Sequence, residues 1–404
     1  MNVSFRSNFP SLQGKMQNGS PYIFMDGPAG TQVPAQVIQA ISSYYLHKNA
    51  NAHGRFITSA LTDKVVDDTR QAMAAFLGAK NEREISLGPN MTSMAFSLSR
   101  AFSRLFQPGD EVIITQLDHE GNRGPWLALR EKGIIVREVK LLPEGRLDED
   151  DFESKINERT RLVAMGFSSN ILGTVNDIQK IRKLSHQYGA WLLIDAVHGA
   201  PHFSLDVKAI DCDFLLCSAY KFYGPHVGIL YAREGLLDQL QPDRLRTAGQ
   251  AAPDSMETGT PNFAAFAGVT AAINFLASQG SGETIREKLI WTMENIHQHE
   301  RTLFIRLYRG LEALDCIHLW GLPPDIPTRA PTLSFSVSNQ SPEVFCSFLG
   351  ENGVFAWNGH FYALRAIEIL GLRAKDGVIR MGVSAYTTAE EIDNVLEIVK
   401  KGLL

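Results

Sequence analysis

Two residues that could do chemistry stand at or just beyond the ends of short apolar runs. Lys221 lies shortly after the run at 214–217, and Asp195 closes the run at 191–194. Short runs that are apolar throughout are typical of strands buried on both faces of a sheet. Ligands of open α/β sheets bind beyond the carboxyl ends of the strands. We therefore expect Lys221 and Asp195 to lie together at one ligand-binding edge.

A buried lysine next to a buried carboxylate favours pyridoxal phosphate as cofactor. Desolvation lowers the pKa of a lysine and makes its amine a nucleophile. The cofactor needs a lysine for its Schiff base and a carboxylate that keeps its pyridine nitrogen protonated. Taken singly, Lys221 also fits a surface lysine beside a turn, and Asp195 fits a residue that caps the next turn.

The loop at 88–93, Gly-Pro-Asn-Met-Thr-Ser, is a candidate phosphate site because it enters a predicted helix at 94–106. Free N–H groups at a helix N-terminus bind phosphate dianions. The candidates here are Asn90, Met91 and Thr92, and Ser218 could add a hydroxyl from the strand before Lys221. Asn, Thr and Ser also cap helices routinely, so this loop supports the cofactor only together with the lysine and the acid.

The composition predicts a cytoplasmic globular protein that acts on a small molecule. The chain has 404 residues, 44% of them hydrophobic, and a formal net charge of -5, which argues against nucleic acid or an anionic membrane as partner. Residues 1–21 lack a signal-peptide core, and no apolar stretch approaches ~20 residues. The four cysteines form no CxxC pair and lie in apolar contexts, so we predict buried, reduced thiols.

Short apolar runs alternate with amphipathic segments from residue 84 to residue 218. This alternation predicts an α/β fold with a mostly parallel sheet covered by helices on both faces. After residue 250 the pattern changes to long helices and a few strands, which predicts a smaller α+β domain. We expect an N-terminal segment at 1–28 that packs with the small domain, a large cofactor-binding domain at 29–285 and the small domain at 286–404.

Six motifs occur in an order that resembles one enzyme family. They are Leu-Asp-His at 117–119 with Asn122 and Pro-Trp at 125–126; Ser-Asn-Ile-Leu-Gly-Thr at 169–174; Asp-Ala-Val-His at 195–198 with Pro-His at 201–202; Ser218 to Pro225; Glu-Thr-Gly-Thr-Pro at 257–261; and Arg380 with Tyr-Thr-Thr at 386–388 and Glu-Glu-Ile-Asp at 390–393. From residue 22 to residue 400 the chain resembles the class V aminotransferase family of pyridoxal-phosphate enzymes, and in particular its cysteine desulfurase-like branch. The resemblance implies the type I fold of pyridoxal-phosphate-dependent transferases.

The same resemblance implies roles for the residues around the cofactor. His119 would stack on the pyridine ring, Asn170 would lie near the ring oxygen and the substrate, Asp195 would pair with the ring nitrogen, and Lys221 would form the Schiff base. His198 replaces the usual Gln and can still donate a hydrogen bond to the phenolate oxygen. Tyr220 replaces a common His, which alters one phosphate ligand.

Further implied roles concern the substrate and a second subunit. Arg380 would bind the substrate α-carboxylate through its guanidinium fork. We also expect His53, from the polar segment at 47–56, and His360 to contact the substrate. Thr260 would reach the cofactor phosphate of the neighbouring subunit, which implies a homodimer with shared sites.

One departure from the family decides the expected reaction. Desulfurases carry a reactive cysteine in a loop before the carboxylate-binding arginine, and the matching stretch here, Asn-Gly-His-Phe-Tyr-Ala at 358–363, has Tyr362 in its place. A phenol cannot carry a persulfide. We therefore expect a C–S lyase that performs β-elimination on a sulfur amino acid, with an aminotransferase or an amino-acid epimerase as alternatives.

Two interpretations remain in which the protein is not a pyridoxal-phosphate enzyme. The protein could keep the fold as a non-catalytic binding protein, although Lys221, Asp195 and Arg380 are all retained. It could also be a metal hydrolase with Asp195, His198 and His202 as ligands, but Gly199 and Pro201 disfavour the helix that this spacing requires.

Overall fold

The computed structural model of the chain describes residues 3–326, 328–373 and 376–404. Its α-helices are α1 (Val3–Arg6), α2 (Ala35–His47), α3 (Ile57–Leu77), α4 (Met91–Phe102), α5 (Gly124–Leu127), α6 (Glu149–Lys155), α7 (Ile178–Gln187), α8 (Val207–Ile210), α9 (Phe263–Ser278), α10 (Ile285–Glu312), α11 (Pro342–Glu351), α12 (Leu364–Ile369) and α13 (Ala389–Gly402). Its strands are β1 (Ile23–Phe24), β2 (Ile85–Gly88), β3 (Glu111–Thr115), β4 (Ile135–Val139), β5 (Thr160–Gly166), β6 (Trp191–Asp195), β7 (Phe214–Ser218), β8 (Gly228–Ala232), β9 (Ile317–Trp320), β10 (Thr332–Val337), β11 (Val354–Phe355), β12 (Trp357–Gly359) and β13 (Val378–Gly382).

A seven-stranded sheet forms the centre of the larger part of the molecule. Its strand order is β2-β8-β7-β6-β5-β3-β4, and the pairs from β7 to β4 are parallel. Only β8 runs against the others, since it pairs antiparallel with both β2 and β7. The predicted α/β fold with a mostly parallel sheet is confirmed.

The uniformly apolar runs become strands because both faces of this sheet are buried. All five residues of β3, β7 and β8 are buried. One face packs into a core with α3 and α9, through residues such as Met73 and Ile273. The other face packs into a second core with α4, through residues such as Leu98 and Phe102. The strand ends are therefore fixed rigidly between two layers of helices.

A second, four-stranded sheet with the order β12-β13-β10-β9 lies in the C-terminal part and is antiparallel throughout. Its core contains side chains of α10, α11 and α13, such as Leu307, Phe345 and Val395. We propose that the two sheets are the centres of a large domain at 29–285 and a small domain at 286–404.

The N-terminal segment contacts both of these parts. β1 pairs in parallel with β11, and Arg6 forms an ion pair with Glu391 of α13 at 2.7 Å. Phe5 and Phe9 pack against Phe275 of α9, with ring centroids 5.2 and 5.7 Å apart. None of the helices in the described part of the chain is long and apolar enough to cross a membrane.

Candidate active site

Lys221 and Asp195 line one cavity of about 850 Å³ at the carboxyl edge of the seven-stranded sheet. Asp195 is the last residue of β6, and Lys221 ends a 3₁₀ turn, Ala219–Lys221, that directly follows β7. β6 and β7 are adjacent and parallel, so their ends bring the two side chains to the same edge. All predicted site residues other than His53 and Thr260 line this cavity.

The Lys221 amine is buried and lies between groups of opposite charge. Its Nζ donates hydrogen bonds to the carbonyl oxygens of Pro28 and, at 3.0 Å, of Ala29. Burial and, to a smaller extent, the Arg380 charge lower the pKa of Lys221, and Asp195 opposes the shift, so that the pKa is about 7. A substantial fraction of the amine is therefore neutral near pH 7 and able to attack a carbonyl.

Asp195 provides an acid in the same cavity. It is 7% exposed, and its Oδ1 accepts a hydrogen bond of 2.9 Å from the Val197 N–H. Burial raises the pKa of Asp195 to about 6, while the Val197 N–H and Lys221 oppose the increase. A cationic N–H group placed in the cavity would stabilise the carboxylate form of this side chain.

The N-terminus of α4 forms the end of the cavity that suits an anion. Asn90 caps the helix by accepting from the Ser93 N–H at 2.8 Å, and the Met91 N–H donates to Ser218 Oγ at 3.3 Å. Gly228 of β8 lets this loop approach, because a Cβ there would lie 2.3 Å from the Asn90 carbonyl carbon. Thr92 adds a hydroxyl to the same wall.

His119 lies in the cavity as a neutral ring of defined tautomer. Burial and, to a smaller extent, the charges of Lys221 and Arg380 lower its pKa to about 4. Its Nδ1 accepts from the Gly121 N–H at 2.9 Å, so the ring hydrogen is on Nε2. A neutral aromatic ring of this kind can stack on a flat heterocycle.

Arg380 of β13 places a buried positive charge in the cavity. One guanidinium nitrogen donates to the Asn170 carbonyl at 3.0 Å, and the guanidinium lies 4.1 Å from the centre of the Phe361 ring. Burial lowers the pKa of Arg380 to about 9, with Asp26 and Tyr220 opposing the shift. The side chain therefore stays cationic at neutral pH and can bind a carboxylate with its remaining donors.

The family model of class V aminotransferases matches residues 23–395. The chain belongs to this family. A probable cysteine desulfurase from Synechocystis sp. is 31% identical over 98% of this chain and 94% of that protein, and a cysteine desulfurase from Cronobacter sakazakii is 31% identical over 97% and 95%. The structure of a cysteine desulfurase from Thermococcus onnurineus superposes with a TM-score of 0.87 at 26% identity, over 99% of this chain and 98% of that one.

A mutant of C-DES with glycine covalently linked to its pyridoxal-phosphate cofactor shares the fold, with a TM-score of 0.81 at 20% identity and 98% of each chain covered. As in other class V aminotransferases, the cofactor of this chain is pyridoxal phosphate, and the cavity suits it. Lys221 could supply an amine with a lowered pKa, Asp195 could offer a carboxylate to the ring nitrogen, and the start of α4 could offer donors to the phosphate. The chain is a pyridoxal-phosphate-dependent enzyme.

The loop at 358–363 has an unusual backbone. Phe361 and Tyr362 have φ angles of 52° and 56°, a conformation that is strained for residues with large side chains. The Glu120 N–H donates to the Tyr362 carbonyl at 2.6 Å, and Asn170 Nδ2 donates to the Phe361 carbonyl at 2.9 Å. The loop thereby holds the Tyr362 ring 5.5 Å from the ring of His119.

No cysteine occurs among the described residues that line the cavity. Cys212, Cys217 and Cys346 are buried, as predicted, and burial raises the pKa of the Cys346 thiol to about 12. The prediction is wrong for Cys316, which is exposed because it lies in the connection that precedes the edge strand β9.

His53 and Thr260 lie outside the cavity of the single chain. The His53 side chain is 92% exposed and lies 3.1 Å from Asp63, so its predicted substrate contact gains no support from this chain alone. Thr260 lines a neighbouring groove of about 710 Å³ together with Arg100 and Glu257. His226 lines both the cavity and the groove and stacks on the Tyr220 ring at 4.7 Å.

Sequence reasoning assigned no role to several other residues of the cavity. Asp118 is buried, accepts from the Gly166 N–H at 2.7 Å, and has a pKa that burial raises to about 7. Its position next to His119 in the Leu-Asp-His motif was the available signal. Trp357 and His226 also line the cavity, and no sequence pattern pointed to them. In the described part of the chain, no group of three His, Cys, Asp or Glu side chains is placed to hold a metal ion.

Proposed function

We propose that the protein is a C–S lyase that eliminates a sulfur group from the β-carbon of a sulfur amino acid, without passing the sulfur to a protein cysteine. The proposal rests on the presence of Tyr362, and of no cysteine, in the loop at 358–363. The Tyr362 ring lies 5.5 Å from the His119 ring there, while the four cysteines lie elsewhere. Sulfur released at this site would leave as sulfide or as a small persulfide.

The side chains of the cavity have distinct tasks in this reaction. Bound pyridoxal phosphate supplies an electron sink that acidifies the Cα proton of an amino acid. Arg380 holds the substrate α-carboxylate, and Asp195 keeps a proton on the pyridine nitrogen. Lys221, whose amine is partly neutral near pH 7, takes the Cα proton.

The net reaction balances without an oxidant. The Cα–H and Cβ–S bonds break, the sulfur leaves with the electron pair of the C–S bond, and water then releases pyruvate and ammonia. Reprotonation of the opposite face would instead give an epimerase, and hydrolysis after a proton shift would give an aminotransferase.

A product screen with the purified holoenzyme tests the proposal. Cysteine, cystine and non-sulfur amino acids are each incubated, and pyruvate, sulfide, keto acids and inverted enantiomers are measured. We expect pyruvate, ammonia and a sulfur product in equal amounts from a sulfur amino acid only. A keto acid without sulfur release, an inverted enantiomer, or no product from any amino acid would contradict the lyase, in favour of an aminotransferase, an epimerase or a binding protein.

We also propose a homodimer in which Thr260 reaches the cofactor phosphate of the neighbouring subunit. Thr260 is exposed in a groove that shares His226 with the cavity. Large exposed apolar side chains on α2 and α3, namely Ile38, Tyr45, Leu46 and Ile57, support an interface between subunits. A cytoplasmic location stays a prediction from the sequence.

A further inference from the structure

Phe361 makes two contacts in the cavity that none of the roles assigned above uses. The guanidinium carbon of Arg380 lies over its ring, 4.1 Å from the ring centroid. Its backbone carbonyl accepts a hydrogen bond of 2.9 Å from Nδ2 of Asn170. Phe361 is partly buried, and Arg380 is only 5% exposed. The aromatic ring and the positive charge therefore meet largely away from solvent.

The Arg380 guanidinium is held from two directions. One of its nitrogens, Nη1, donates to the backbone carbonyl of Asn170 at 3.0 Å, and the Phe361 ring supplies the second contact. A buried cation is destabilising unless polar or aromatic neighbours compensate for its lost hydration. Contact with an aromatic face stabilises a cation most where both groups are desolvated. The carbonyl and the ring together thus fix the place of this charge.

Asn170 completes a closed set of three contacts. Its side chain holds the carbonyl of Phe361, and its own carbonyl holds Arg380. Asn170 follows the end of β5, whereas Arg380 lies in β13 and Phe361 lies in the loop after β12. Three separate segments of the chain are therefore linked at this point, and a change in one contact is expected to affect the other two.

The backbone at Phe361 has a conformation that large side chains rarely adopt. Its φ angle is 52°, and that of Tyr362 is 56°. Such outliers persist only where the surroundings hold them, and they concentrate at functional sites. Here Asn170 holds the carbonyl of Phe361, and the Glu120 N–H holds that of Tyr362 at 2.6 Å. The chain thus maintains an unfavourable backbone where the Phe361 ring contacts Arg380.

We propose that Phe361 is a positioning residue that holds the Arg380 guanidinium in the orientation that receives the carboxylate of an amino acid. A guanidinium binds a carboxylate best when two of its N–H groups point at the two oxygens. A freely rotating arginine loses conformational entropy on binding, and the contacts with Phe361 and Asn170 reduce this loss in advance. The inference rests on the proposed contact between Arg380 and the α-carboxylate, and it adds the residue that prepares Arg380 for this contact.

Binding of two small amines to the holoenzyme tests the proposal. Glycine has an α-carboxylate and methylamine has none, and the absorbance of the bound cofactor reports the binding of both. We expect Phe361→Leu to raise the dissociation constant of glycine by about 5-fold or more, and that of methylamine by less than about 2-fold. Phe361→Tyr keeps the ring and should bind glycine within about 2-fold of the wild type. Equal weakening of both amines in Phe361→Leu, or a Phe361→Tyr protein as weak as Phe361→Leu, would contradict the positioning role.

A double-mutant cycle with Arg380→Lys shows whether the effect passes through the guanidinium. The ammonium group of lysine has no planar fork to orient. In the Arg380→Lys background we expect Phe361→Leu to change glycine binding by less than about 2-fold, and equal effects in both backgrounds would overturn the proposal. Phe348→Leu is the matched control, because Phe348 is a partly buried phenylalanine of α11 in another core, and it should bind glycine like the wild type.

The outcomes separate this inference from the proposed function. Glycine has no β-carbon, so its binding does not depend on whether the enzyme releases sulfur. If the preference for glycine over methylamine is lost in Arg380→Lys but unchanged in Phe361→Leu, the role of Phe361 alone is overturned. An unchanged preference in both variants would overturn the carboxylate contact of Arg380 and, with it, the positioning role.

Discussion

Lys221 is buried near three charged side chains, and the pKa of its amine is therefore close to neutral pH. Because burial lowers the pKa of Lys221 to about 7, the neutral, nucleophilic form increases as the pH rises through this value. We expect the rate at which apoenzyme captures pyridoxal phosphate to increase between about pH 6 and pH 8, as followed by stopped-flow absorbance. Lys221→Ala should show no covalent capture at any pH. A rate for the wild type that does not change over this interval would contradict the assignment.

Arg380 offers a second test at the level of single residues, because a guanidinium fork and an ammonium group bind carboxylates differently. We expect Arg380→Lys to raise the KM for the amino acid by about 10-fold or more, with a smaller effect on kcat. Arg306→Lys is the matched control, since Arg306 forms an exposed ion pair with Asp393 and should leave KM unchanged. An equal KM in Arg380→Lys and the wild type would exclude a carboxylate contact.

At the scale of elements, the site depends on how closely β8 and the start of α4 approach each other. A Cβ on Gly228 would lie 2.3 Å from the Asn90 carbonyl carbon, so Gly228→Ala must displace the loop that caps α4. We expect faster loss of the cofactor and a free energy of unfolding lower by about 1–3 kcal/mol. Fluorescence of released cofactor and thermal melting measure the two effects.

Gly350→Ala is the control for this variant. Gly350 lies in α11 with no heavy atom within 4 Å of an added Cβ. Cofactor retention should match the wild type in that variant. A Gly228→Ala protein that keeps its cofactor equally well would show that the loop does not need this close approach.

The strand ends were predictable because they follow from local patterns. The apolar runs at 191–194 and 214–217 mark β6 and β7 to within a residue, so the edge shared by Asp195 and Lys221 could be inferred. The short strands β9 and β12 were not predicted, since their burial is partial and mixed. Tyr220 and His226 are six residues apart, and their stacking depends on the turn after Lys221, which no periodicity specifies.

Contacts between residues that are far apart in the chain could not be predicted from the sequence either. Glu300 lies 98 residues from His202, its hydrogen-bond partner, in a helix whose pattern predicts only a buried face. The positive φ angles of Phe361 and Tyr362 are maintained by hydrogen bonds to distant parts of the chain. Such features depend on tertiary packing, and the local sequence contains no signal for them.

At the scale of the whole molecule, the proposed dimer links assembly to cofactor binding. We expect the protein to sediment as a dimer and Thr260→Ala to weaken cofactor retention by about 10-fold. Thr302→Ala is the matched control, because Thr302 is an exposed threonine on α10 outside the groove. A monomer with full cofactor occupancy at dilute concentration would contradict the shared site.

The central claim, that sulfur leaves without a protein persulfide, is tested most directly by intact-protein mass spectrometry during turnover with a sulfur amino acid. Cys212, Cys217 and Cys346 are buried, and the loop that faces His119 presents Tyr362. We expect no mass increase of one sulfur atom on the chain, while pyruvate and a sulfur product accumulate. A stoichiometric, turnover-dependent persulfide on any of the four cysteines would contradict the account and assign the protein a desulfurase reaction.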